Sequence, residues 1–196
     1  MKREEKRQRN RQQLLTAATE VFLEQGFDAA TVRDVVARTT LGVGTFYNYF
    51  TDKESIFRAI IDQRIGEIAT QVRKVRHQAH DRDSFIRLSY LAYFEALAND
   101  PISYELARRH EALIGSLYQV PMLEMAMGEL QEDIQAAVRA GWLSSLDEDF
   151  LAAAFLGVGH EVGRVMIRRR PMDPVAAAEF ASKLLLGGLQ AFAHGQ

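Results

Sequence analysis

The stretch from Thr31 to Phe57, TVRDVVARTTLGVGTFYNYFTDKESIF, decides how this chain folds. It begins with a threonine, a good helix N-cap, and Asp34 lies three places on, where a carboxylate stabilises the first turn of a helix. Val35 and Val36 then belong to the inward face of a short helix. A second short helix, over residues 43–49, follows a turn that contains glycine. The pattern predicts two short helices joined by a tight turn.

The second of these helices has two chemically different sides. Phe46, Tyr49 and Phe50 are spaced three and four residues apart, so they share a face that we expect to be buried. The other side carries Val43, Gly44, Tyr47 and Asn48. A small residue, a phenol and an amide on one face suit contact with another molecule, because glycine lets that molecule approach the backbone. The alternative is that this side is the exposed edge of a small bundle.

The outward side has the composition of a helix that lies in the major groove of DNA. Thr45 and Tyr47 can donate hydroxyl hydrogen bonds to phosphate oxygens, and Val43 can meet a thymine methyl group. Asn48 can contact a base edge or the DNA backbone. The N-terminus of the preceding helix favours phosphate, and Arg33 lies there. The predicted DNA-binding residues are Thr31, Arg33, Val43, Gly44, Thr45, Tyr47, Asn48 and Lys53.

Taken together, these residues resemble the DNA-binding signature of the TetR family of bacterial regulators. The matching positions are Thr31, Gly44, Thr45, Phe46, Tyr47, Tyr49, Phe50, Lys53 and Glu54, with Phe22, Gly26 and Phe27 at the end of the first helix. The resemblance covers residues 9–60 and departs from the family pattern at 39–42, where TTLG replaces Ala-Gly-Val-Ser. Thr40 replaces a glycine that often takes positive φ, so we expect a different or strained turn. Gly42 replaces a serine that would cap the second helix.

The resemblance implies an all-α homodimer with about nine helices. A DNA-binding domain would occupy residues 9–69, with its recognition unit at about 32–51, and a ligand-binding and dimerisation domain residues 70–196. In the family, ligand binding changes the spacing of the two DNA-binding heads, and the operator is released. The candidates to line a pocket for a largely apolar effector are Tyr90, Phe94, Tyr104, Met122, Met125, Trp142, Phe155 and His160.

Hydrophobic periodicity predicts that nearly the whole chain is helical. Further helices are expected at about residues 9–25, 84–98, 101–118, 121–140, 147–169 and 173–194, with a polar loop or a frayed helix end at 73–83. The 147–169 helix has an apolar stripe formed by Leu151, Ala154, Phe155, Val158, Val162 and Val165. The last helix carries Phe180, Leu184, Gly187, Gly188 and Ala191. Small residues let helices approach closely, as a four-helix dimer interface requires.

Composition limits the alternatives. The 196 residues include no cysteine, which excludes disulfides and thiolate metal sites, and the net charge is −2. Six basic and two acidic side chains lie in the first eleven residues, a layout that suits DNA but is shared by solvated tails. Arg9 or Arg11 is a candidate for a phosphate contact. An apolar signal segment and a run of about 18 apolar residues are both missing, so we expect a cytoplasmic, nucleoid-associated protein without a membrane partner.

The favoured function is a ligand-responsive transcription regulator, a repressor that binds a palindromic operator as a homodimer. The alternative is a nucleoid-associated or protein-recruiting DNA-binding protein without a small-molecule switch. The sequence contains no catalytic carboxylate pair, nucleophile motif or phosphate-binding loop, so we expect neither an enzyme nor a cofactor. The spacing of His77 and His80 suits a metal ion, but solvated histidines are the favoured interpretation. His160 is expected to make a structural pair, with ligand contact as the alternative.

Overall fold

The computed structural model describes residues 2–100, 121–143 and 147–194. All regular structure in these residues is helical, which confirms the predicted fold class. They form eight helices: α1 Lys2–Gln25, α2 Val32–Ala37, α3 Val43–Tyr47, α4 Lys53–Arg76, α5 Arg82–Asn99, α6 Pro121–Arg139, α7 Glu148–Arg168 and α8 Pro174–His194. The helix predicted over residues 101–118 lies outside the described residues.

Two helix boundaries differ from the sequence-based expectation. α1 begins at Lys2 instead of Arg9, because its first turns consist of lysine, arginine, glutamate and glutamine, which all favour helix. α3 ends at Tyr47, two residues early. Of the two alternatives for residues 73–83, the structure has the helix end at the start of the segment, since α4 continues to Arg76. The polar composition there reflects ion pairs with α6 and not a break in the helix.

The chain divides into two compact units, and the division falls within α4, between Arg64 and Ile65. In the N-terminal unit, the rings of Phe22, Phe27 and Phe57 form a cluster with centroids 5.2 to 5.7 Å apart. α1 ends at Gly26, whose φ is +81° and whose N–H donates to the Phe22 carbonyl at 3.0 Å. This left-handed cap turns the chain and lets Phe27 reach the cluster.

The second unit has α5 packed against α7 and α8. The Tyr90 ring of α5 stacks on Phe155 of α7 at 4.6 Å, and its hydroxyl donates to the Phe155 carbonyl at 3.0 Å. Burial raises the pKa of the Tyr90 phenol, so it stays a hydrogen-bond donor. Glycines at 159 and 163 let α7 approach α5, because a Cβ on Gly163 would lie only 2.8 Å from Leu97 Cδ1.

α7 is long and apolar enough to cross a membrane, judged by length and composition alone. Its buried residues, which include Leu151, Phe155 and Met166, instead mark it as a core helix of this unit. Of the apolar stripe predicted for α7, Leu151 and Phe155 are buried, whereas Ala154 and Val165 are exposed. Among the described residues, apolar side chains of α7 therefore lie both in the core of this unit and at its surface.

Candidate DNA-binding site

The start of α2 is held by a reciprocal cap. The Asp34 N–H donates to Thr31 Oγ1 at 3.2 Å, and the Thr31 N–H donates to Asp34 Oδ2 at 2.9 Å. The Thr31 hydroxyl also donates to that carboxylate at 2.6 Å, and these bonds lower the pKa of Asp34. Thr31 and Arg33 are exposed. The cap fixes the N-terminal turn of α2 and leaves its outer side open to an anion.

The turn between α2 and α3 is formed without backbone strain. The Thr39 hydroxyl donates to the Val36 carbonyl at 2.9 Å and accepts the Leu41 N–H at 3.1 Å. Only glycines have positive φ among the described residues, so Thr40 has an ordinary backbone conformation. The turn therefore differs from the family pattern because a threonine side chain ties it, and the strained alternative is excluded.

α3 presents one side inward and the other to solvent. Phe46 and Phe50 are buried, with ring centroids 5.7 Å apart. The exposed residues of this segment include Val43, Gly44, Tyr47 and Asn48, whereas Thr45 is half-buried. Gly42 occupies the N-cap position and offers no side-chain hydrogen bond. No atom lies within 4 Å of where a Cβ on Gly44 would be, so another molecule can approach the backbone there.

Lys53 is committed to contacts within the N-terminal unit. Its ammonium donates to the carbonyl oxygens of Phe27, Asp28 and Ala30 at 2.7, 3.1 and 3.1 Å. The ammonium also lies 4.5 Å from the centroid of the Phe27 ring. Three hydrogen bonds account for all three ammonium hydrogens. Lys53 thus fixes the loop after α1, and its phosphate contact stays a prediction.

Arg38 fastens α2 to α1. Its guanidinium makes two hydrogen bonds to Glu24, one of them 2.8 Å long, and lies 3.6 Å from Glu20. The bonds to Arg38 lower the pKa of Glu24. Since the partners are largely exposed, the pairs add little to stability. Their geometric effect is to hold α2 at a fixed place on α1.

Three of the residues predicted to contact an effector form a ring stack in the second unit. Tyr90, Phe94 and Phe155 are buried, and the Tyr90 and Phe94 centroids are 5.9 Å apart. The structure brings these three residues together. They pack on one another, so an effector would have to meet the edge of this stack.

The other predicted effector contacts have different surroundings. Trp142 is half-buried and Met125 is exposed. His160 is exposed too, with Nδ1 3.3 Å from the carboxylate of the next residue, and its structural role stays a prediction. Tyr104 and the side chain of Met122 lie outside the described residues.

Sequence reasoning missed a charge cluster that joins the end of α4 to α6. The buried Arg76 donates from Nε to Asp133 Oδ2 at 2.7 Å and makes a second bond from Nη2. Burial lowers the pKa of Arg76, and the Asp133 carboxylate opposes that shift. His77 Nε2 lies 3.0 Å from Asp133 Oδ1, and Arg73 donates to Glu132 at 3.0 Å. The available signal was helical spacing of 73, 76 and 77, in register with α4.

A metal site at His77 and His80 finds no support in this geometry. His77 is engaged by Asp133, and His80 Nε2 lies 3.7 Å from Asp81. Within residues 2–100, 121–143 and 147–194, no three acidic or histidine side chains form a group that could hold a metal ion.

Two short helices joined by a turn, the second with an exposed polar face, are a helix-turn-helix, and they define a DNA-binding transcription regulator. Residues 14–60 match the family model described as bacterial regulatory proteins, tetR family. The helix-turn-helix of this chain is therefore a TetR-type DNA-binding unit, and named transcription regulators are similar to the chain over most of its length. Those relatives are transcription regulators, so the protein is a regulator and not an enzyme.

Similarity to known regulators extends over most of the chain. The transcriptional activator FasR of Mycolicibacterium smegmatis is 23% identical over 186 residues, 93% of this chain and 84% of FasR. The transcriptional repressor AcnR of Corynebacterium glutamicum is 24% identical over 160 residues, 78% of this chain and 85% of AcnR. The structure of FadR from Bacillus subtilis in complex with stearoyl-CoA has a TM-score of 0.71 at 19% identity, covering 90% of this chain and 98% of that chain.

Proposed function

We propose that this protein is a repressor that binds a palindromic operator as a homodimer and releases it when a small, largely apolar effector binds. The observation that carries the proposal is the outward face of α3. Tyr47 is 56% exposed and Val43 is 41% exposed, while Phe46 on the opposite side is fully buried. Large apolar groups held in solvent by a rigid helix are suited to contact another surface.

The predicted residues divide into two roles on DNA. Contacts to phosphate supply affinity for any sequence, and we assign them to Thr31, Arg33, Thr45, Tyr47 and Lys53. Contacts to base edges supply discrimination, and we assign them to Val43, Gly44 and Asn48. For Lys53 the phosphate would have to share an ammonium that already serves three carbonyls.

Substitution of Tyr47 tests the orientation of α3. Tyr47→Ala removes both ring and hydroxyl and should weaken binding to specific and random duplexes alike, by about tenfold or more, since a hydrogen bond to a charged group contributes about 1.5–3 kcal/mol. Filter binding measures this, and Tyr47→Phe separates the hydroxyl from the ring. Unchanged affinity of Tyr47→Ala for the wild-type operator would mean that another face of the unit binds DNA.

The outer faces of α7 and α8 support the homodimer. Phe180 and Leu184 on α8 are 60% and 55% exposed, and Gly187 and Gly188 follow on the same side. On α7, Gly157 is exposed together with Ala153 and Ala154, and the ion pair between Glu161 and Arg164 follows on the same side. Two adjacent helices whose outer sides carry small residues can pair with the same helices of a second copy as a four-helix bundle.

The effector is proposed to be largely apolar for two reasons. The second unit contains a stack of buried aromatic rings, and FadR, which shares this fold, was crystallised with stearoyl-CoA. Action in the cytoplasm on nucleoid DNA belongs to the same proposal. Mass spectrometry of small molecules that co-purify with the protein tests it, and a long acyl chain is the expected finding. A strongly polar, acyl-free molecule that dissociates the operator complex would contradict it.

The relatives include an activator and a repressor, so repression needs its own test. Measuring transcription from a promoter that carries the operator, with and without the protein, shows whether the protein represses or activates.

A further inference from the structure

The first turns of α1 extend beyond the core of the N-terminal unit. α1 begins at Lys2, and its first buried residue is Leu14. Residues 3–9 are all exposed. Exposed side chains add nothing to the core that the described residues form, so the charges of this segment need a separate explanation.

Charges on this segment are segregated by side. Arg3, Lys6 and Arg7 are three and four residues apart and share one side of the helix. Glu4 and Gln8 lie on the other side, and Gln8 lines a groove against α4 together with Arg11 and Gln12. The basic side of α1 therefore faces away from α4.

Further along α1, the helix α2 packs on the same side of α1 as the three basic residues. Lys6 precedes Glu24 by 18 residues, which is about five full turns, so the two residues share a side. Glu24 is the residue that Arg38 of α2 holds. Arg11 follows Arg7 by four residues, at the edge between the basic side and the groove, and its guanidinium lies 5.7 Å from the ring centroid of Phe50, just beyond α3. The basic side is thus continuous with the helix-turn-helix.

We infer that the basic side of the α1 extension, formed by Arg3, Lys6 and Arg7, is a second DNA-binding surface that contacts the phosphate backbone outside the base pairs read by α3. The inference rests on the proposed function. The three cations span about 6 Å of helix, which matches two or three successive phosphates of one strand. Because the contacts are to phosphate alone, they add affinity without changing the preferred sequence.

The test compares the wild-type protein with R3Q/K6Q/R7Q and with a matched control, K74Q/R87Q/R139Q. The control removes the same charge from exposed positions of the second unit. Glutamine favours helix, and circular dichroism checks that α1 is retained. The duplex is one selected by the wild-type protein from a random pool. It is used as the minimal site and with about ten extra base pairs on each side, one further helical turn.

Binding is measured against KCl concentration. On the long duplex, R3Q/K6Q/R7Q should reduce the slope of log affinity against log salt by about 2, near 0.9 for each lost phosphate contact, and weaken binding about tenfold at 0.15 M salt. On the minimal duplex it should bind like the wild-type protein, and the control should match the wild type on both. Equal slopes for the two triple variants on the long duplex would overturn the inference. So would a result in which R3Q/K6Q/R7Q loses binding to anionic vesicles but binds DNA with the affinity of the wild type. A wild-type protein that selects no duplex would instead refute the proposed function.

Discussion

Two sides of α7 carry glycine, and their neighbours differ. On the inner side, a Cβ on Gly163 would lie 2.8 Å from Leu97 Cδ1 and 3.4 Å from the Phe94 ring. On the outer side, a Cβ on Gly157 would have no atom within 4 Å. Glycine within a helix costs about 1 kcal/mol relative to alanine. Packing within the chain accounts for the inner glycine, whereas the outer one is explained only if another surface approaches it, which supports the proposed homodimer.

The largest effect is expected from a charge on the outer face. Leu184→Glu would place two carboxylates in the symmetric interface without partners, and an uncompensated buried charge costs about 3–5 kcal/mol. The dimer dissociation constant should rise at least a hundredfold, as sedimentation equilibrium would measure, and operator binding should become correspondingly weaker.

Gln190→Glu is the matched control, because it adds the same charge to an exposed position at the polar edge of α8. It should leave the dimer intact. If Leu184→Glu and the control have the same dimer dissociation constant, the outer face does not form the interface. Close approach of a second copy would then not explain the outer glycines.

A substitution on the inner side of α7 should change the free energy of unfolding and leave dimer formation unchanged. Gly163→Val, made in the Leu184→Glu background so that only packing within the chain is measured, should lower the free energy of unfolding by about 1–3 kcal/mol, as overpacking does. Leu97 can rotate away, but the rings of Tyr93 and Phe94 lie 3.4 Å from the same added atom and cannot both move. Urea denaturation measures the change.

Gly157→Val in the same background is the matched substitution on the outer side. Its Cβ would lie more than 4 Å from any neighbouring group of the described residues, and helix propensity changes by less than about 0.5 kcal/mol. Equal destabilisation by the two valines would show that α7 and α5 are not packed as closely as the structure has them.

Prediction from sequence succeeded where local chemistry decides the conformation. Gly26, placed at the end of the first helix by the sequence, has positive φ. The Thr31 cap, the burial of Phe46 and the exposure of Tyr47 follow from caps and spacing within a few residues. The unstrained turn could not be foreseen, because it depends on the Thr39 hydroxyl reaching back to α2.

Prediction from sequence was weaker in the second unit, where contacts between residues far apart in the sequence determine which side of a helix is buried. α7 is apolar on both sides, so periodicity grouped the buried Leu151 and Phe155 with the exposed Ala154 and Val165. Which side faces α5 depends on glycines that fit its rings, and no spacing rule encodes that fit. The sequence left the end of α4 undecided between loop and helix for a similar reason, since Arg76 is buried only because Asp133 on α6 balances its charge.

The smallest and most discriminating effect is expected from Gly157→Ala. In the monomeric Leu184→Glu background it should raise the free energy of unfolding by about 0.5–1 kcal/mol, because alanine restricts the unfolded chain and meets no atom in the folded one. In the otherwise wild-type protein the same methyl group should hinder the close approach of a second copy and raise the dissociation constant several-fold. A substitution that stabilises the monomer and weakens the dimer is expected only where a second copy packs against the glycine. A gain in both backgrounds would show that nothing approaches this side of α7, and the contrast between the two faces would then have no functional meaning.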